Sequence, residues 1–161
     1  MSTVFISLGS NQGDRRRVLR AALHSVRRLG SVVAVSPLYR TTPVGVERVP
    51  HFLNAVAQLE TALGPMTLLR GLQAIERKFG RQCGAARWSE RSLDLDILLY
   101  DNAIIETPFL TIPHPRIAQR LFVLVPLAHL SPDVVIPLTS RTVRECLQSM
   151  ADPFQTATRI D

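Results

Sequence analysis

The chain has 161 residues, 46% of them hydrophobic and 20% charged, enough for one domain with an ordinary globular core. No apolar run reaches the length of a membrane span, no basic stretch precedes the apolar start Met1–Gly9, and two distant cysteines, Cys83 and Cys146, have no metal-ligand spacing, so a soluble chain with free thiols in a reducing cytoplasm is expected. The net charge of +6 suits an anionic partner such as a nucleotide or a nucleic acid, or else reflects a compositional preference for arginine, since Lys78 is the only lysine.

Aromatic residues are few and do not interleave with the arginines, which disfavours a groove for single-stranded nucleic acid. Thr3–Leu8 reads as a buried strand, and Gly9–Asp14 as a turn into a helix. The turn lacks the glycine spacing and the lysine of a phosphate loop. Val18, Leu19, Ala22, Leu23, Val26 and Leu29 form a helical stripe, with Asp14 at its positive end and Gly30 as its stop. Val32–Tyr39 is a strand broken by Pro37, followed by a long loop over Thr41–Pro50.

Phe52–Glu60 is a further strand. Leu53, Ala55, Ala57 and Leu59 mark its core face, while Phe52, Asn54, Val56 and Gln58 share the other, which is either a pocket wall or ordinary sheet surface. Gly64-Pro65 opens a second helix with a stripe of Leu68, Leu69, Leu72, Ile75 and Phe79, ended by Gly80. Gln73 and Glu76 are neighbours beside that stripe, on a solvated flank unless they serve a site. Residues 80–92 read as a mobile loop with Arg81, Arg87, Trp88 and Arg91.

The most informative stretch is Arg91-Ser-Leu-Asp-Leu-Asp-Ile-Leu-Leu-Tyr100. Leu93, Leu95, Ile97 and Leu99 alternate onto a core face, and Asp94 and Asp96 point together to the other side. Their Cα atoms are roughly 6–7 Å apart on a strand. Carboxylates that close repel, and a hard divalent cation such as Mg²⁺ relieves the conflict while recruiting phosphates. The plainer alternative is a solvated strand end paired with nearby arginines.

Downstream, Asp101-Asn102 is a turn, Ala103–Ile105 pairs back, and His114 between Pro113 and Pro115 is a phosphate contact or a turn residue. Arg116–Leu130 is apolar apart from residues such as Arg120, Val134–Ile136 is a short strand, Thr142–Met150 a closing helix, and the tail after Pro153 is expected to be loose. The mixture of strands and helices without strict alternation predicts an α+β domain with a largely antiparallel sheet.

These pieces resemble the 6-hydroxymethyl-7,8-dihydropterin pyrophosphokinase family along nearly the whole chain. The likeness runs through Ser7–Asn11, Tyr39–Gly45, Phe52–Asn54, Gly80-Arg81, Arg87-Trp88, Arg91–Tyr100, Pro113–Pro115 and Arg120–Leu127. It implies one domain over residues 1–161, a three-layer α/β/α arrangement with a ferredoxin-like core, and transfer of pyrophosphate from ATP to the pterin hydroxymethyl group with release of AMP. Asp94 and Asp96 would hold two Mg²⁺ ions. Arg81, Arg91, His114 and Arg120 would neutralise phosphates, with Arg81 and Arg91 counted as catalytic. Gln73, Glu76, Trp88 and Ile97 would contact ATP. Phe52 and Phe122 would sandwich the pterin, Asn54 would bond its polar edge, and Thr41, Thr42 and Val44 would complete the slot.

The resemblance implies a cytoplasmic monomer without nucleic-acid or membrane partners. The chain departs from the family pattern at Cys83, in place of an arginine, and at Ser89-Glu90, in place of Gly-Pro. Competing readings are a basic nucleic-acid-binding domain, a catalytically weakened relative, and another Mg²⁺-dependent transferase built on Asp-x-Asp.

Overall fold

The computed structural model describes residues 1–42, 51–80, 92–152 and 154–161. In chain order the strands are β1 (Ser2–Ser10), β2 (Ser31–Val35), β3 (Tyr39–Thr41), β4 (Phe52–Thr61), β5 (Asp94–Tyr100), β6 (Ile105–Glu106), β7 (Thr111–Ile112), β8 (Val135–Ile136), β9 (Arg141–Thr142) and β10 (Ala157–Arg159). The helices are α1 (Arg15–Val26), α2 (Pro65–Lys78), α3 (Leu121–Leu130) and α4 (Val143–Gln148).

β1 lies antiparallel between β4 and β5. β2 and β3 follow one another along the far edge of β4, with Pro37 at the break between them. The order β2-β4-β1-β5, connected by α1 and α2, is a ferredoxin-like core. α1 and α2 cover one face, over Ile6, Leu8, Leu53, Leu59, Leu95 and Ile97. α3 and α4 cover the other, around Phe5, Val56, Leu98 and Leu99. The domain is therefore a three-layer α/β/α sandwich around an antiparallel sheet: the antiparallel α+β character matches the sequence patterns, and the three layers match what the family resemblance implies.

The local chemistry explains the helix ends. The Asp14 carboxylate accepts the Arg17 N–H at 3.2 Å and caps α1. Pro65 starts α2, and Gly80, at φ +92°, ends it in the left-handed region. On the inner stripe of α2, Leu68 and Leu72 are fully buried, each stabilising the packing by about 1.5–3 kcal/mol.

Four expectations are corrected. α1 stops at Val26 with Arg27 as its cap, so Gly30 is not its terminator; a Cβ at Gly30 would crowd the Glu60 carbonyl, so glycine serves close approach to β4. Leu99 leaves the face of Leu93, Leu95 and Ile97, because the register steps from Ile6↔Ile97 to Phe5↔Leu99 and makes Leu98 an extra, bulged residue. Residues 103–105 do not pair back onto β5; β6 begins at Ile105 and forms a hairpin with β7. The tail is not loose: β10 is the edge strand beside β3, and Leu38 N–H donates to Asp161 Oδ1 at 2.8 Å.

Candidate active site

The register across β1 unites two features that the sequence presents separately. Gly9 stands opposite Asn54 on one side and opposite Asp94 on the other. Ser7 stands in the same way between Val56 and Asp96. Phe52, Asn54, Asp94 and Asp96 therefore belong to one face of the sheet, the face that α3 crosses. Two strand spacings separate Asn54 from Asp94, about 10 Å. The floor between them is made of small residues. At Gly9 this is a requirement, since a Cβ would come within 2.7 Å of Asn54 Oδ1.

One half of this face is built on β3 and β4. Asn54 is buried, and its Nδ2 donates to the buried Thr41 Oγ1 at 2.5 Å. Thr42 is held from the tail, its N–H donating to the Thr156 carbonyl at 3.3 Å and its Oγ1 accepting the Thr156 N–H at 2.9 Å. Phe52 and Phe122 are both half-buried; Phe122, in the first turn of α3, packs against the second core. The Arg120 guanidinium carbon lies 5.3 Å from the Phe122 ring centroid. Val44 lies outside the described residues.

The other half is a cleft of about 590 Å³ at the outer edge of β5, the last strand of the sheet among the described residues. It gathers Gln73, Glu76, Asp94, Asp96, Ile97, His114 and Arg120, all expected from the sequence. Arg81, Trp88 and Arg91 lie outside the described residues, as do the departures at Cys83 and Ser89-Glu90. Gln73 is exposed at the rim, but Glu76 is buried rather than on a solvated flank. Its Oε2 accepts the Leu95 N–H at 3.1 Å and ties α2 to the strand between the two aspartates.

Asp94 and Asp96 shape the electrostatics of the cleft. Burial lowers the Arg120 guanidinium pKa, and attraction to Asp96, then Asp94, opposes the shift. His114 is also lowered, by burial first, with Asp96 opposing and Arg120 and Arg116 reinforcing the shift. Its Nδ1 accepts the Arg116 N–H at 3.1 Å, so in the neutral ring Nε2 carries the proton. Among the described residues no third carboxylate, histidine or cysteine joins the aspartate pair to make a protein cage for a metal. Two carboxylates at an open cleft fit a cation that draws its remaining ligands from water and phosphate oxygens, the habit of Mg²⁺.

This geometry coincides with a sequence match: the model of the 7,8-dihydro-6-hydroxymethylpterin-pyrophosphokinase family fits residues 5–132. The chain belongs to this family. It is 44% identical over 154 residues to the 2-amino-4-hydroxy-6-hydroxymethyldihydropteridine pyrophosphokinase of Haemophilus influenzae, covering 94% of this chain and 95% of that one. The Pseudomonas aeruginosa enzyme of the same name is also 44% identical, over 159 residues, with 98% and 96% coverage. Among solved structures, the Plasmodium falciparum HPPK-DHPS with pteroate shares the fold at a TM-score of 0.77 and 17% identity, over 91% of this chain and 42% of that one.

Several residues that line the cleft or brace the start of α3 escape sequence reasoning. Leu69, Leu95 and the hairpin stretch Thr107–Thr111 line the cleft. Gln155 reaches from the tail to the start of α3, where its Oε1 accepts the Leu121 N–H at 2.9 Å and its Nε2 donates to the Gln119 carbonyl at 3.0 Å.

Proposed function

We propose that the cleft and the adjoining sheet face form one active site, with ATP in the cleft and the pterin beside Phe52 and Asn54. As a member of the pyrophosphokinase family, the chain is an ATP-dependent diphosphotransferase that makes the pterin diphosphate of folate biosynthesis. The observation that carries the placement is the shared register at Gly9, which sets Asn54 and Asp94 on one face.

Phe52 and Phe122 sandwich the pterin ring, Asn54 bonds its polar edge, and Thr41, Thr42 and Val44 close the slot. Asp94 and Asp96 would hold two Mg²⁺ ions, which would supply charge neutralisation and Lewis-acid polarisation at the phosphates. His114, through Nε2–H, and Arg120 bind phosphate oxygens, joined by Arg81 and Arg91; Gln73, Glu76, Trp88 and Ile97 serve the nucleotide. The hydroxymethyl oxygen attacks the β-phosphorus in line, and AMP departs. Positioning and fixed charge supply most of the rate, as in phosphoryl transfer generally.

Residues 1–161 work as a single domain, as a cytoplasmic monomer with small-molecule substrates and no nucleic-acid or membrane partner. No helix among the described residues is long and apolar enough to cross a membrane.

The test is AMP formation from ATP and Mg²⁺ with and without 6-hydroxymethyl-7,8-dihydropterin, in the wild type and in Asp96→Ala. Pterin-dependent AMP that vanishes in the variant supports the reading. ADP as product, or AMP release indifferent to the pterin, overturns it.

A further inference from the structure

Phe109 is 78% exposed, yet it lines the cleft. It is the one strongly exposed aromatic side chain among the described cleft residues. A flexible loop would let such a side chain fold away from water, but this one is fixed at its base. Thr107 Oγ1 accepts the N–H groups of Phe109 and Leu110 at 3.2 and 3.0 Å, and Thr107 N–H donates to the Leu110 carbonyl at 3.0 Å. Leu110, next in the chain, is buried in the first core and anchors the turn. The backbone is pinned on both sides of Phe109 while the ring stays unburied.

The cleft has two kinds of wall. Asp94, Asp96, His114 and Arg120 suit a metal-bound polyphosphate. Leu69, Leu110 and Phe109, with the amide of Gln73 and the hydroxyl of Thr111, suit a flat ring with an apolar face and a polar edge. The pterin does not compete for that wall, because its proposed slot lies on the sheet face at Phe52 and Asn54. We propose that Phe109 is a platform for the nucleotide base, stacking on the purine ring of ATP and thereby setting nucleotide affinity. This inference rests on the pyrophosphokinase reading of the cleft and adds to it a residue outside the set expected from sequence. Stacking uses a π-face that every base has, so the platform raises affinity without choosing between bases.

The experiment compares wild type, Phe109→Ala and Phe109→Trp by calorimetric binding of Mg²⁺–α,β-methylene-ATP, the GTP analogue and inorganic tripolyphosphate. Steady-state kinetics follow in parallel. In Phe109→Ala, both nucleotide analogues are expected to bind roughly tenfold more weakly, tripolyphosphate unchanged. The KM for ATP rises, while kcat and the pterin KM stay within about twofold, and Phe109→Trp restores binding. The side chain is exposed, so truncation leaves the fold intact. Unchanged nucleotide binding in Phe109→Ala overturns the proposal, as does an equal loss for tripolyphosphate. A wild type that binds nucleotide through Phe109 but makes no pterin-dependent AMP would instead sink the reading of function and leave the platform standing.

Discussion

Gly9→Ala probes the floor shared by the two halves of the site. The new Cβ lands 2.7 Å from Asn54 Oδ1 and 3.7 Å from Phe52 Cδ1. Non-bonded heavy atoms are comfortable at about 3.5 Å, so the Asn54 amide must retreat by roughly 0.8 Å. It is poorly placed to do so, because Nδ2 is bonded to Thr41 Oγ1 at 2.5 Å and both residues are buried. Losing that bond costs about 1–3 kcal/mol, and overpacking falls in the same range; one displacement causes both, so the two figures are not added. If Asn54 reads the pterin edge, the displacement raises the pterin KM about 10–100-fold, at about 1.4 kcal/mol per decade. The ATP KM stays within about twofold, since Asn54 does not line the cleft. AMP formation measured against each substrate, with the other saturating, gives both values. A folded Gly9→Ala protein with a wild-type pterin KM refutes the reasoning. An equal rise in both constants shows a floor that is only structural.

Glu76→Ala removes the acceptor for the Leu95 N–H and is expected to cost about 2–3 kcal/mol, lowering Tm by about 5–10 °C, while Glu76→Gln keeps an acceptor and recovers most of the loss in a thermal melt. Deleting residues 156–161 removes β10 and the Thr156 bonds to Thr42. The Thr42 amide then loses protection in hydrogen exchange, and the pterin KM rises while the ATP KM does not. Glu145, in the capping box of α4, has its pKa lowered by the Thr142 backbone N–H and hydroxyl. Its contribution is therefore present above the ordinary glutamate pKa and fades as pH falls through the lowered one. Urea midpoints of wild type and Glu145→Gln should differ at pH 7 and converge in acid.

The β5 range, Asp94–Tyr100, was legible because apolar alternation and strand propensity agree there. The pairing of Phe52 with Asn54 on one face, and of Asp94 with Asp96 on another strand, was legible for the same reason. That the two pairs occupy one face was not, because it depends on how β1 is registered between β4 and β5. The Leu98 bulge shifts the phase of Leu99 without any glycine or proline to announce it. Glu76 looked like a surface charge because its partner, the Leu95 N–H, is 19 residues away and on the backbone. β10 is short and polar, and its order comes from contacts more than 100 residues distant in the chain, such as Thr156 with Thr42 and Asp161 with Leu38. Local propensity contains none of that.

The edge position of β5 bears on how molecules of this protein avoid one another. A terminal strand with an apolar run is a template onto which another chain can add, and repeated addition builds fibres. Here two of its outward backbone groups are occupied, the Leu95 N–H by Glu76 and the Leu98 carbonyl by the His114 N–H at 2.9 Å. The exposed Asp96 sets a negative charge beside them, and an identical strand brought alongside would carry the same charge. Glu76, Asp96 and His114, proposed above to serve the nucleotide and its metal, thus also guard the edge of the sheet against growing sideways into a neighbour.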